Sequence, residues 1–418
     1  MAPSFDEGSV RGSVFNLSSA TLGAGALSVP YAFKSMGIGL GLVLIIICAF
    51  ATSFSIKLLI MTRTRTGLSS FEQVTARLYG SNAAAAVETS IAVFCFGSGV
   101  AYCKTIRDFV SPIIELYRID QRFPDYDVEK CTMVLVWLCL LLPLSLIRDI
   151  NQLRYCSLLS VITIIYLSIA ISQHALNNVL SGHIHPRWDS LEIWVNLNVL
   201  DIISALPIFL FAFTCQINVF AIFDGLARCS DPRMDKVTFR AVALCFIIYS
   251  SIGLLGFVEF GSGTCGNILK NYTQEFKDGN TIAVTMYASV AATIIMSFPL
   301  VVQPCRSAFD ALFARCLPPA DRHGIYTVII SGGSLFVSLY VPHINEVFQL
   351  LGGTCSSFVC YVLPAMFAIK LQLFAHRPFM NAMTYLLAFM GALAGVLSTG
   401  VTLYGFAHPS RGGPSQCD

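Results

Sequence analysis

Ser18-Ser19-Ala20-Thr21-Leu22-Gly23-Ala24-Gly25-Ala26-Leu27-Ser28-Val29-Pro30 is a run of small and hydroxyl residues, closed by a proline, inside an apolar stretch from Val10 to Phe33. It makes a poor helix. Gly23 and Gly25 each cost about 1 kcal/mol relative to alanine in a helix interior, and Pro30 removes the hydrogen bond to the carbonyl of residue 26. In lipid, unpaired backbone is tolerated only where it is buried in protein or lines a polar cavity. The run therefore predicts a discontinuous membrane helix whose free N–H and C=O groups face a ligand. A close-packing seam of small residues is the other use of such a pattern, and Gly37, Gly39 and Gly41 fit that use well.

The rest of the chain supports a lipid environment. Of 418 residues, 12% are charged and 55% hydrophobic, with mean hydropathy +0.70; soluble domains carry about 25% charged residues. The net charge is +2 and the basic residues are scattered between apolar runs, which excludes a nucleic-acid partner. Most of the 15 cysteines lie in apolar runs (Cys48, Cys95, Cys139, Cys245, Cys360) and read as small core residues. No C-x-x-C pair or H-E-x-x-H accompanies them, so neither a metal nor a cofactor is expected. Met1 to Val10 holds Asp6 and Glu7 and no basic segment, unlike a cleavable signal peptide.

A membrane helix needs about 20 mainly apolar residues. That ruler gives eleven spans: Val10 to Phe33, Gly37 to Met61, Ala83 to Thr105, Cys131 to Ile147, Leu153 to Gln173, Val199 to Phe223, Phe239 to Phe260, Thr281 to Gln303, Ile325 to Val341, Phe348 to Ile369 and Asn381 to Gly405. With the N-terminus inside, sixteen of the twenty-six Lys and Arg residues fall on the inner face, as positive-inside orientation requires. The sequon Asn271-Tyr272-Thr273 then lies in an outer loop, where it is open to a glycan. The outer loop from Arg107 to Lys130 mixes both signs and reads as a solvated cap. The inner segment Thr62 to Gly80 reads as a short interfacial helix, with Phe71, Val74 and Leu78 on one face.

Transporters built from inverted repeats interrupt a second helix at the matching position of the other half. Span six is the candidate: Pro207 is followed by Thr214, Gln216 and Asn218 at mid-depth, polar groups that are expensive in hydrocarbon without ligand, water or facing backbone. Interhelical hydrogen bonding is the alternative reading. A five-plus-five repeat pairs residues 10–173 with 199–369 and leaves 381–405 as an accessory helix. The expected fold is thus an all-α polytopic membrane protein, a single transporter domain with eleven helices of which the first and sixth are discontinuous.

Val14-Phe15-Asn16-Leu17 running through Gly23-Ala24-Gly25 to Pro30-Tyr31-Ala32-Phe33 resembles the first helix of the amino acid/auxin permease family. Phe211-Ala212-Phe213-Thr214-Cys215-Gln216 with Phe223-Asp224-Gly225-Leu226, and Ser297-Phe298-Pro299 through Gln303-Pro304-Cys305-Arg306-Ser307, are similar to the same family. The resemblance implies a leucine-transporter-like fold, an amino acid substrate between helices one and six, alternating access, and coupling to protons or sodium. The physics agrees: Gly23, Ala24 and Gly25 N–H groups at a half-helix start suit an α-carboxylate. Carbonyls around Phe213 and Thr214 suit the α-ammonium. Substrate contacts are therefore expected from Thr21, Gly23, Ala24, Gly25, Phe94, Ser98, Phe213, Thr214, Cys215 and Gln216.

Sodium-coupled relatives carry a second asparagine in the first helix and a threonine in helix eight. Here Ser19 stands at the former place, while Thr293 and Ser297 lie four apart on helix eight. A hydroxyl holds sodium less firmly than an amide carbonyl, so proton coupling is favoured over sodium. Glu88 and Glu259 are the intramembrane carboxyls available to carry the proton, with structural pairing as the alternative for each. The partners expected are a small amino acid, a coupling ion and the bilayer, with the plasma membrane preferred over an acidic organelle. A sensor using the same pocket would need a docking tail, and only about nine polar residues precede span one. An intramembrane enzyme would need paired catalytic groups, and no Ser/His/Asp or twin-aspartate arrangement is found.

Overall fold

Ser9 opens the bundle by accepting a hydrogen bond from the Gly12 N–H at 3.1 Å, and α1 runs from there over Val10–Thr21. In this computed structural model, which describes residues 8–116, 127–147, 153–182, 194–196, 198–313, 318–340 and 344–407, the helix stops where the glycines begin. Leu22 and Gly23 leave helical geometry, Ala24–Ser28 form a 3₁₀ turn, and α2 resumes over Val29–Met36. Pro30 sits in the first turn of α2, where a missing N–H costs nothing, so it starts the second half-helix. Gly37 ends α2 at φ 82°, with the Trp194 backbone within 2.8 Å of where a Cβ would lie, so only glycine fits.

Further helices are α3 (Ile38–Thr66), the short α4 (Phe71–Tyr79), α5 (Ser81–Leu116), α6 (Val128–Val136) and α7 (Arg154–Leu180). The sixth span is α8 (Val199–Ala212), a break, a 3₁₀ turn at Gln216–Asn218, and α9 (Val219–Asp224). After it come α10 (Asp231–Phe260), α11 (Thr281–Phe313), α12 (Pro319–Ser338), α13 (Ile344–Leu351), a π-type stretch Gly352–Val362, α14 (Leu363–Lys370) and α15 (Pro378–Ala407). Among the described residues there is no strand.

Nine helices of the described residues are long and apolar enough to cross a membrane. The other two expected spans are present as helix but fall outside that measure, span one because its break leaves pieces of 12 and 8 residues. Span nine is the 20-residue α12, whose first turns carry Asp321 and Arg322. Several helices outrun the apolar ruler: α5 continues well past Thr105, and α10 begins at Asp231, before Phe239. These polar end-turns extend beyond hydrocarbon and were invisible to a hydropathy criterion. Large apolar side chains such as Phe50 and Val396 are more than two-thirds exposed on the bundle exterior, as a lipid-facing surface requires.

Pro207 does not break span six. It lies inside α8, and the discontinuity comes later, at Phe213–Cys215. The carbonyl of Ile203, which Pro207 leaves without its helical donor, receives the Ser398 hydroxyl of α15 at 3.5 Å. The expected packing seam on α3 exists: a Cβ at Gly41 would meet the Phe33 ring at 2.9 Å, and one at Gly39 the Trp194 carbonyl at 3.1 Å. A matching groove lies on α10, where Gly253 faces Val29 and Phe33 of α2 and Gly256 faces Pro30. The interfacial helix is α4, capped by Ser70, with Phe71 and Val74 buried and Arg77 exposed.

Two features of the segment joining α10 to α11 revise the sequence reading. Cys265 is disulfide-bonded, unlike the core cysteines, which fits an oxidising outer side. Asn271 ends the short helical turn Ile268–Asn271, and its amide accepts from the Cys265 N–H at 2.9 Å and donates to the Gly263 carbonyl at 2.8 Å. A glycan on Nδ2 would remove that donor bond, so the folded loop does not favour the modification. The solvated cap is seen only at its ends, where Arg107 pairs with Glu129 at 2.7 Å, because residues 117–126 lie outside the described residues.

The exposed Asp278 and Asp235 report orientation. In a background stripped of reactive exposed cysteines, Asp278→Cys should label with a membrane-impermeant maleimide from the outer face and Asp235→Cys only after permeabilisation. Labelling of both from one face would overturn this arrangement.

Candidate functional site

Both helix breaks open onto one narrow cavity. Ala20, Thr21, Gly23 and Gly25 line it from the first break, and Thr214, Cys215, Ile217 and Asn218 from the second. Phe94, Cys95, Ser98 and Tyr102 of α5, Phe211 of α8, and Leu300, Val301 and Pro304 of α11 complete the wall. Ile217, Asn218, Val301 and Pro304 lie C-terminal to the break in span six and in the C-terminal half of α11, so the cavity extends from the breaks toward the side that the positive-inside reading puts inside. Phe211 anchors an aromatic wall, with ring centroids 5.6 Å from Phe94 and 4.5 Å from Phe348.

The breaks have local causes. Gly23 turns its N–H back to the Thr21 carbonyl at 2.9 Å, so that N–H is spent, contrary to the sequence expectation. The 3₁₀ turn makes its first bond from Ala26 to the Gly23 carbonyl at 3.2 Å, which leaves the Ala24 and Gly25 N–H groups at the head of the turn. A Cβ at Gly23 would lie 1.9 Å from the Tyr102 hydroxyl, and one at Gly25 would lie 3.3 Å from Ala212 Cα and from the Phe211 ring. Glycine here is therefore a condition of close approach. At the second break Thr214 turns its hydroxyl to the Leu210 carbonyl at 2.8 Å and also meets the Ser356 hydroxyl.

A tyrosine that sequence reasoning missed ties the two breaks together. The Tyr249 hydroxyl of α10 lies 2.6 Å from the Thr21 carbonyl and 2.8 Å from the Ala212 carbonyl. Those are the C-terminal ends of α1 and α8, where helix dipoles gather partial negative charge. One hydroxyl carries one proton, so the two carbonyls share it. Phe213 packs its ring edge-on against Tyr249 with centroids 5.2 Å apart.

Several expected contacts lie elsewhere. Ala24 and Phe213 are fully buried off the cavity lining, because the turn aims them into the bundle. Gln216 is also buried, and its side-chain oxygen caps the Cys215 N–H at 2.9 Å. The remaining expected contacts, Thr21, Gly23, Gly25, Phe94, Ser98, Thr214 and Cys215, all lie on the lining, with the Ser98 hydroxyl turned to the Phe94 carbonyl at 2.8 Å. Tyr102 and Phe211 join them unforeseen.

Ser19, Ser297 and Thr293 do converge, with two α7 hydroxyls absent from the sequence reading. Ser297 stands 3.1 Å from Ser19 and 2.8 Å from Ser160, while Thr293 stands 2.7 Å from Thr163. Each hydroxyl thus has a neighbouring hydroxyl as partner. The two carboxyls lie apart from the cavity. Glu88 is six residues before Phe94, about 9 Å along α5 toward the inner face, and Glu259 is ten residues beyond Tyr249, about 15 Å along α10 toward the outer face. Both are buried.

Comparison with known proteins fits this architecture. The family described as transmembrane amino acid transporter protein matches residues 6–405. The chain is similar to vacuolar amino acid transporter 6 of Saccharomyces cerevisiae, at 25% identity covering 92% of this chain and 95% of that one. It is also similar to sodium-coupled neutral amino acid transporter 7 of Xenopus laevis, at 24% identity covering 87% and 81%. Among solved structures it resembles a mutant of the manganese transporter of Eremococcus coleocola, with TM-score 0.68 at 15% identity over 97% and 88% of the two chains. Two interrupted helices facing one cavity, the leucine-transporter-like fold and a family match across nearly the whole length place this chain in the transmembrane amino acid transporter family.

Proposed function

We propose that the protein is a proton-coupled amino acid transporter working by alternating access in the membrane of an acidic, vacuole-like compartment. The observation that carries the reading is the pair of helix breaks facing one cavity. The Gly25 N–H at the head of the turn suits an α-carboxylate, and the carbonyls of the broken ends beside Thr21 and Thr214 suit an α-ammonium. Backbone then reads the constant part of the substrate. Phe94, Ser98, Tyr102 and Phe211 read its side chain. Residues 10–173 and 199–369 are the two repeats that rock about this site, and 381–405 is accessory.

The compartment replaces the plasma membrane expected from sequence, since the Saccharomyces cerevisiae relative is a vacuolar transporter. The outer face is then an acidic lumen, and substrate leaves with protons toward the cytosol. Each pH unit supplies about 1.4 kcal/mol per proton, about a tenfold concentration ratio. A second reading, sodium coupling, is favoured by one observation, the convergence of Ser19, Ser297 and Thr293. Against it, these hydroxyls are bonded to neighbours, and a sodium ion must displace those bonds.

Uptake of a panel of radiolabelled amino acids into proteoliposomes, driven by an imposed pH or sodium gradient, tests substrate and coupling together. Uptake should rise as the outer face is acidified and persist when choline replaces sodium. A sodium requirement abolished by Thr293→Ala or Ser297→Ala would establish the second reading instead. Gly25→Leu should eliminate uptake, because even a Cβ there is in tight contact with α8; normal uptake by the purified variant would remove the first break from the site. Tyr249→Phe deprives two buried carbonyls of their shared proton, a cost of about 1–3 kcal/mol, so the purified variant should unfold at a lower temperature than the wild type.

A further inference from the structure

Near the outer ends of α7 and α10 lies a cluster of ionisable groups that the transport cavity does not use. Glu259 of α10 has a 1% exposed side chain and accepts the Tyr272 hydroxyl at 2.6 Å and the Asn178 amide at 3.1 Å. Its Oε1 also meets Nδ1 of His174, on α7. The other ring nitrogen, Nε2, faces Glu275 Oε2 at 3.2 Å, in the short helical turn Thr273–Lys277 that follows α10. The Tyr272 ring packs edge-on against the imidazole with centroids 5.3 Å apart. Among the described residues, the charged or titratable groups in contact with this ring are thus Glu259, Glu275 and Tyr272.

A neutral imidazole carries one N–H and an imidazolium carries two. The Asn178 amide also lies 3.2 Å from Nδ1 and can donate to that nitrogen when it is bare. One added proton, on the ring or on a facing carboxyl, lets both ring nitrogens meet a carboxyl oxygen through a hydrogen. Without it, one carboxylate faces a nitrogen lone pair and the tie between α7 and α10 is weaker. Access is graded from solvent inward: the Glu275 side chain is 34% exposed, that of His174 19%, and that of Glu259 is closed off. Solvent therefore reaches the site from the side of Glu275 and His174, and Glu259 is the member farthest from it.

We propose that His174, Glu259 and Glu275 form one proton-binding site on the outer face, which fastens α7 to α10 when loaded and loosens them when empty. α10 also carries Tyr249, the residue that holds the two breaks, so fastening its outer end bears on the cavity through a continuous helix. The inference rests on the proton-coupled reading for its part in transport, whereas the fastening does not depend on it.

The test uses the full chain in nanodiscs and proteoliposomes. Thermal unfolding of the wild type should move to higher temperature as the pH is lowered from about 8 to about 5.5, and His174→Gln should lose that acid-dependent rise. If His174→Gln does not fold, Glu275→Gln serves, since it keeps the ring and Glu259 and replaces the outer carboxylate with an uncharged amide; it too should lose the rise. A rise retained in the folded variant overturns the proposal. In proteoliposomes, uptake of a tritiated mixture of neutral amino acids should climb on outer acidification in the wild type and lose most of that climb in His174→Gln. If the unfolding result holds while wild-type uptake ignores pH, proton coupling fails and the fastening site stands. If wild-type uptake is acid-driven and His174→Gln keeps the full climb, the site has no part in coupling.

Discussion

A hydrocarbon surround permits no idle backbone, and the two interrupted helices exist only because the bundle answers each group they expose. Tyr249 is the central answer. It reaches the last carbonyl of α1 and the last carbonyl of α8 with one hydroxyl, at a depth where water has little access. The surrounding choices follow from that requirement: glycines at 23 and 25 let Tyr102 and Ala212 approach, and Phe213 turns away from the cavity to pack on the tyrosine ring. The same constraint explains why Pro207 survives inside α8, since Ser398 of α15 reaches the carbonyl that the proline leaves open.

The part of this architecture legible in the sequence is what local chemistry dictates. Two glycines, a hydroxyl run and a proline within thirteen residues announce the first break, because each feature disfavours helix by itself. The second break carried no such mark. Phe213-Thr214-Cys215 is ordinary helical sequence, marked only by the polar residues that follow it and by the family resemblance, and its departure from helix is accommodated by packing against the first break and α10. Side-chain direction was likewise hidden. Ala24, Phe213 and Gln216 sit in the correct segment yet point into the bundle, and a 3₁₀ turn shifts facing in a way that helical periodicity does not encode.

The hydroxyl assembly shows the same division. Ser19, Thr293 and Ser297 were placed together by resemblance, but Ser160 and Thr163 on α7 were seen only once the helices were packed. Glu259 was noticed as an apolar-span carboxyl, whereas His174, which lies in a separate span 85 residues earlier, had no sequence signal linking it to that carboxyl. Pairs between distant spans are the information that a single sequence withholds.

The glycines on α10 have a mechanical consequence. Gly253 and Gly256 leave two notches in α10, and the side chains of Val29, Phe33 and Pro30 occupy the space that Cβ atoms would fill. Here the knobs belong to α2 and the holes to α10. The outer half of the first span is therefore keyed to α10 in one register, which even a methyl group at residue 253 would disturb.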